Sequence, residues 1–183
     1  SLKPDLAEAY NNLGVVLRDI GKLEDAVTNF QKSLAINPEY ADALDNLGIA
    51  LRDLGNPQNA VTNHRKALTI KPDNAAAHNN LGLALQDLGE TEEAIESYDR
   101  ALAIKPELVE THYNLGNALR KLGKFDQAQA RYLEALRLKP DYTEAHYDLG
   151  NLLSDFGKCD EAEKSFQQAL RLKPDYAAAH NNL

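Results

Sequence analysis

Apolar positions along the chain keep two clocks, and the faster one is helical. Ala9, Leu13, Val16, Leu17 and Ile20 follow one another at steps of four, three, one and three, and Ala26, Val27, Phe30, Leu34 and Ile36 form a second such run. Those steps gather apolar side chains into one stripe of an α-helix. Gly21 stops the first helix, and Pro38 ends the second, because the residue ahead of a proline is pushed out of the helical region. A helix start is best marked in GNPQNA, where Asn56 can cap and Pro57 can take the first helical position. The recurrent Pro-Asp or Pro-Glu pair is expected to open the following helix, with its acid near the positive end.

The slower clock has a period of 34. Pro4, Pro38, Pro72, Pro106, Pro140 and Pro174 keep it, and so do all ten glycines, one set running from Gly14 to Gly150 and the other from Gly21 to Gly157. Leucines from Leu13 to Leu183 and alanines from Ala26 to Ala162 are in phase with them. Five repeats result, at 7–40, 41–74, 75–108, 109–142 and 143–176, with partial units at 1–6 and 177–183. Each is a helical hairpin too small to bury its own apolar faces, so neighbours are expected to stack into a single all-α array. Glycine inside a helix costs about 1 kcal/mol relative to alanine. The glycine of the NLG motif therefore implies a close helix-helix approach, with the Ala26 series as its counterpart.

The 34-residue period, NLG, the Ala26 series, the ring column Phe30, Tyr98, Tyr132 and Phe166, and the terminal proline together resemble the tetratricopeptide repeat. Departures are Tyr10, Leu44 or a histidine at the usual tryptophan, and His64 in the ring column. The resemblance implies an α-solenoid coiled as a right-handed superhelix, whose first helices line a concave groove that receives extended peptides.

With the first helix's stripe assigned to the core, Glu8, Asn11, Asn12, Val15, Arg18 and Asp19 fall on the opposite face. One column across repeats reads Asn12, Asn46, Asn80, Asn114, Asp148 and Asn182. An amide donates and accepts at once, so a row of asparagines can hold a peptide backbone whatever its side chains. It resembles the asparagine ladder of O-linked N-acetylglucosamine transferase. The same amides could instead bond to a neighbouring helix of their own array. Beside them, Val15, Ile49 and Leu83 give way to Asn117 and Asn151, while Asn11, Asp45 and Asn79 give way to Tyr113 and Tyr147, amphipathic rings of a kind enriched at interfaces. Arg18, Arg52 and Arg120 form a broken row next to Asp19, Asp53, Asp87 and Asp155, able either to meet a ligand or to pair with one another. The lysine column of carboxylate-clamp tetratricopeptide domains is missing, so a clamp for a C-terminal carboxylate is not expected.

Composition narrows the function further. A net charge of −8 repels phosphate, which argues against nucleic acid. No apolar run reaches membrane-spanning length and nothing resembles a signal peptide, so no membrane partner is expected. Cys159 is the lone cysteine, which excludes an internal disulfide and fits a reducing, cytoplasmic setting. His78, His112, His146 and His180 are repeat equivalents, expected one helix-packing distance apart, roughly 8–10 Å. A metal holds its ligands at about 2 Å, so neither metal nor cofactor is expected, and the histidines fill half-buried aromatic slots. Paired acids such as Glu92 and Glu93 read as a solvated helix start rather than acid-base machinery, and an enzyme is not expected.

A protein-interaction scaffold binding an extended protein or peptide segment is the function this pattern supports. The alternatives are substrate recruitment for a larger enzyme, such as a glycosyltransferase or sulfotransferase, and a self-assembling structural array. SLKPD at the start matches RLKPD at Arg171 to Asp175, and the chain closes halfway through a first helix, as a piece of a longer array would. Ends without capping helices should associate. A hydrodynamic mass that rises with concentration is the expected outcome, and a constant monomeric mass would defeat it.

Overall fold

In the computed structural model, residues 4–182 are described, so Ser1–Lys3 and Leu183 lie outside the account that follows. Two compact units emerge, one running to Ile104 and the other starting at Lys105. The first contains α1 (Pro4–Asp19), α2 (Leu23–Ile36), α3 (Ala41–Asp53), α4 (Pro57–Ile70), α5 (Ala75–Leu88) and α6 (Thr91–Ile104). The second contains α7 (Val109–Lys121), α8 (Phe125–Leu138), α9 (Thr143–Asp155), α10 (Cys159–Leu172) and the short α11 (Ala177–Asn181). Among the described residues there is no strand, and no helix is long and apolar enough to cross a membrane.

Local chemistry sets the helix ends. Asn56 Oδ1 accepts from the Asn59 backbone N–H at 3.3 Å with Pro57 opening α4, as the sequence implies. α5 ends on Gly89, whose φ of +81° is a left-handed conformation that a side chain would strain. The Pro-acid pair opens α1 at Pro4 and Asp5, as expected, but behaves differently between hairpins. Pro38 and Glu39 form the turn between hairpins, and α3 begins only at Ala41, after an extended Tyr40. Asn37 holds that turn by accepting the Glu39 N–H on its side chain and the Tyr40 N–H on its carbonyl. The turn's own hydrogen bonds thus displace the helix start past the proline.

Inside each hairpin the close approach inferred from NLG is made by a ring. A Cβ placed on Gly14, Gly48, Gly82, Gly116 or Gly150 would lie within 2.4–2.6 Å of the ring of Phe30, His64, Tyr98, Tyr132 or Phe166 respectively. The small residue and the flat ring are the two halves of one contact, and the fully buried Ala26 series packs beside it. Complete burial of such a ring contributes about 1.5–3 kcal/mol. Polar ring tips find partners on the facing helix: Tyr98 donates to Gln86 Oε1, Tyr132 donates to Asn117 Oδ1 at 2.7 Å, and His64 Nδ1 lies 2.7 Å from Asp45 Oδ1.

Between hairpins the apolar stripe is buried only where a preceding hairpin lies over it. Leu47, Ala50, Leu81 and Ala84 are buried, whereas their α1 counterparts Leu13 and Val16 are 47% and 56% exposed, and Ile20 is exposed as well. Of the stripe assigned to the core in the first helix, Ala9, Leu13, Val16 and Ile20 therefore lie at the surface, while Leu17 is half-buried against the core. Periodicity identifies an apolar face, and only a neighbouring helix can bury it.

Two effects of opposite sign meet at Gly82. Alanine gains about 1 kcal/mol of helix propensity, but its methyl would enter the Tyr98 ring at 2.4 Å, and overpacking costs about 1–3 kcal/mol. Gly82→Ala is expected to lower stability in urea unfolding, and Gly82→Ala with Tyr98→Ala to show a strongly non-additive cycle.

Candidate functional site

The face carrying the asparagine column is held together by bonds between neighbouring first helices, and they share one spacing. In the first unit Asn46 Nδ2 donates to Asn11 Oδ1 at 3.0 Å, and Asn80 Nδ2 donates to Asp45 Oδ2 at 3.1 Å. In the second, Tyr113 OH donates to Asp148 Oδ2 at 2.6 Å, and Asn182 Nδ2 reaches Tyr147 OH at 3.3 Å and Asn151 Oδ1 at 2.8 Å. The column pairs are 35 residues apart, one repeat plus one. In each of these four pairs the first member of one doublet meets the second member of the next. Two helical turns further on, Arg52 meets Asp87 at 2.7 Å and Arg120 meets Asp155 at 3.3 Å, again 35 apart. Arg18 pairs with Asp19 on its own helix.

Through these bonds the amides and the charges spend part of their hydrogen-bonding capacity within the array. Asn11 and Asp45 are buried beneath the face, and Asn12 is exposed, accepting from Asn11 Nδ2 at 3.3 Å. Asn46 and Asn80 are half-buried, and each commits one amide hydrogen to its neighbour. An amide has two donor hydrogens and an accepting oxygen, so each rung keeps capacity for a ligand.

The second unit brings three of the expected residues into one place. An open cavity of about 490 Å³ is lined by Asn117, Arg120, Lys121 and Asp148. Lys121 was not singled out by the column pattern, because it stands where other repeats carry Asp19, Asp53, Asp87 and Asp155. That change of sign within a column was the available signal. Arg120 lies 3.8 Å from Asp148 Oδ1, so this carboxylate is held from one side by a phenol and from the other by a guanidinium. Tyr113 and Tyr147 do not stand free: their rings pack at 5.0 Å on Tyr142 and Tyr176, and at 6.1 and 5.9 Å on Tyr132 and Phe166.

Burial, then the Asp148 hydrogen bond, raises the Tyr113 phenol well above its ordinary range. Burial, then the Asp148 charge, does the same to Tyr132 against an opposing pull from Arg120. Tyr142 is pushed up to about 12, by burial first and the nearby acids second. All three phenols therefore keep their protons and serve as donors or neutral rings.

Each series histidine closes its own turn. His78, His112, His146 and His180 place Nε2 2.8–2.9 Å from the carbonyl of Pro72, Pro106, Pro140 and Pro174. A carbonyl can only accept, so these rings carry a proton on Nε2. The series spans buried His78 and His112, half-buried His146 and exposed His180.

The repeat geometry corresponds to a known family. Profiles described as "Tetratricopeptide repeat" match residues 5–73, 65–96 and 147–183, and one described as "TPR repeat" matches 84–123 and 116–157. The chain belongs to the tetratricopeptide repeat family, and its fold is the all-α solenoid of stacked helical hairpins. Among solved structures it is similar to MamA, at 28% identity and a TM-score of 0.81 over 90% of this chain and 96% of that one. It is also similar to TTC0263, a thermophilic TPR protein of Thermus thermophilus, at 26% identity and a TM-score of 0.75 over 96% and 95%. YrrB, described as a TPR protein with an unusual peptide-binding site, shares the fold at 22% identity and a TM-score of 0.78, over 94% and 89%. Comparison with curated proteins by sequence finds no match.

A phenol whose pKa is raised on folding favours the protonated native state. That stability is fully present below about pH 10, the unfolded value, and is lost as pH climbs through the folded values, with Tyr142 at about 12. Asp148→Asn removes the carboxylate that raises Tyr113 and Tyr132. Their phenols should titrate at lower pH in the variant, still above the ordinary value because burial remains, as read by phenolate absorbance in the near ultraviolet.

Proposed function

We infer that the chain is a protein-interaction module whose first-helix face holds an extended segment of a protein partner. The observation that carries this reading is the cavity of Asn117, Arg120, Lys121 and Asp148. Tyr132 takes the Asn117 oxygen and Asn182 takes the Asn151 oxygen, so the NH2 groups are what these side chains can offer, that of Asn117 being shared with the Tyr113 phenol oxygen. Arg120 has five N–H donors and commits few of them. A wall rich in donors, floored by one carboxylate, suits the carbonyl groups of an extended backbone better than a small apolar ligand. The half-spent amides of Asn46 and Asn80 extend the same character to the first unit. The peptide-binding site named for YrrB lends the reading support by analogy of fold.

Exposed Leu13, Val16 and Ile20 on α1 favour a second reading, association through that helix. Its test is Val16→Glu, expected to abolish any concentration dependence of the hydrodynamic mass.

For peptide binding, the probe is an immobilised pool of random dodecapeptides capped at both ends. Each lost hydrogen bond is worth about 0.5–1.5 kcal/mol, so Asn117→Ala with Arg120→Ala should cut retention roughly tenfold at unchanged helicity. Retention equal to that of the unaltered protein would remove the cavity from the binding surface.

A further inference from the structure

Asp45 and His64 depart from their columns in the same repeat. His64 takes the ring position held elsewhere by Phe30, Tyr98, Tyr132 and Phe166, and Asp45 takes that of Asn11, Asn79, Tyr113 and Tyr147. The imidazole is wholly buried over Gly48, with Nδ1 2.7 Å from Asp45 Oδ1. The second oxygen of that carboxylate, Oδ2, accepts from Asn80 Nδ2 at 3.1 Å. A line of contacts thus runs from the core of the second hairpin to a half-buried amide on the candidate face, all within the first unit.

A carboxylate has no hydrogen to give, and this fixes the direction of both bonds. His64 must carry its proton on Nδ1, the reverse of the tautomer imposed on His78 and His112 by the proline carbonyls. His64 Nε2 is buried without a partner, and a bare acceptor is tolerated there better than an orphaned N–H. Asn80 must turn its NH2 group to Asp45 and its Oδ1 away. In the preceding hairpin Asn46 meets Asn11, another amide, which could offer either end. Of these two rungs, the one at Asp45 has its polarity set by chemistry.

We propose that Asp45, held by His64, is a positioning residue that locks Asn80 with its carbonyl oxygen outward, so that this rung selects an unsubstituted backbone N–H on the bound segment. The inference rests on the peptide-binding reading above and names the group recognised at one rung. A proline or an N-methylated residue opposite Asn80 is excluded.

The test uses the whole chain. Imidazole proton–nitrogen correlation spectra should show Nδ1–H at His64 and Nε2–H at His78 and His112, and one Asn80 side-chain hydrogen should exchange at least severalfold more slowly than a free amide. Asp45→Asn with His64→Phe recreates the Asn11 and Phe30 pair of the first hairpin, so it should fold while releasing the lock. Retention is compared on two immobilised pools of capped random dodecapeptides, one ordinary and one N-methylated at every peptide nitrogen. The unaltered protein should prefer the ordinary pool, and the double variant should lose about threefold of that preference. Nε2–H at His64, free exchange of both Asn80 hydrogens, or an unchanged preference in the folded variant would overturn the lock. Retention of neither pool would sink the peptide reading alone, leaving the tautomer and exchange results to decide the lock.

Discussion

A flat ring lying on a glycine sets the distance between the two helices of every hairpin, and the remaining geometry is built on that distance. With any side chain at Gly14, Gly82 or Gly150 the ring would have to move, and the apolar contacts of both helices would move with it. The contact is tolerant of chemistry and intolerant of thickness. Phenyl, phenol and imidazole all occupy the site, provided that a polar tip meets a partner such as Gln86, Asn117 or Asp45. A polar tip without one would cost about 1–3 kcal/mol of unreturned desolvation, about as much as burying the ring contributes.

Spacing fixed in this way lets neighbouring first helices lie close enough to exchange hydrogen bonds. Their separation of 35 residues, against a repeat of 34, reflects a stagger of one position between adjacent helices. Adjacent polar residues are needed because the first partner points to the following hairpin and the second to the preceding one. The Arg-Asp doublets two turns later repeat the logic at the exposed rim, where ion pairs add little stability but hold side chains in place. Cohesion draws on one amide hydrogen of Asn46 and one of Asn80, and the recognition proposed for this face would draw on what those same amides have left.

The hairpins, their period, the Asn56 cap and the glycine stops are legible in the sequence because each depends on residues a few positions apart. Burial of Leu13 and Val16 is not, since it depends on whether another helix lies over them. The Pro38–Glu39 turn is missed for a related reason: the bonds made by Asn37 compete with the helix start, and propensity alone does not weigh them. Of the candidate site, the column of Asn46 and Asn80 is visible, but its bond partners are not, because a partner 35 residues away is invisible to a period of 34. The pairing of His64 with Asp45 leaves one trace, two departures within a single repeat.

The staggered bonds give the array a syntax. Asp148 can accept because the hairpin before it supplies the Tyr113 hydroxyl, and Asn80 can donate because the hairpin before it supplies the Asp45 carboxylate. Were the fifth repeat spliced behind the second, Asp148 would face Asp45 and two carboxylates would compete for a proton that neither brings. Hairpins that look interchangeable by their apolar residues are therefore words with permitted neighbours, and a reshuffled array would have to respect the order of its polar doublets.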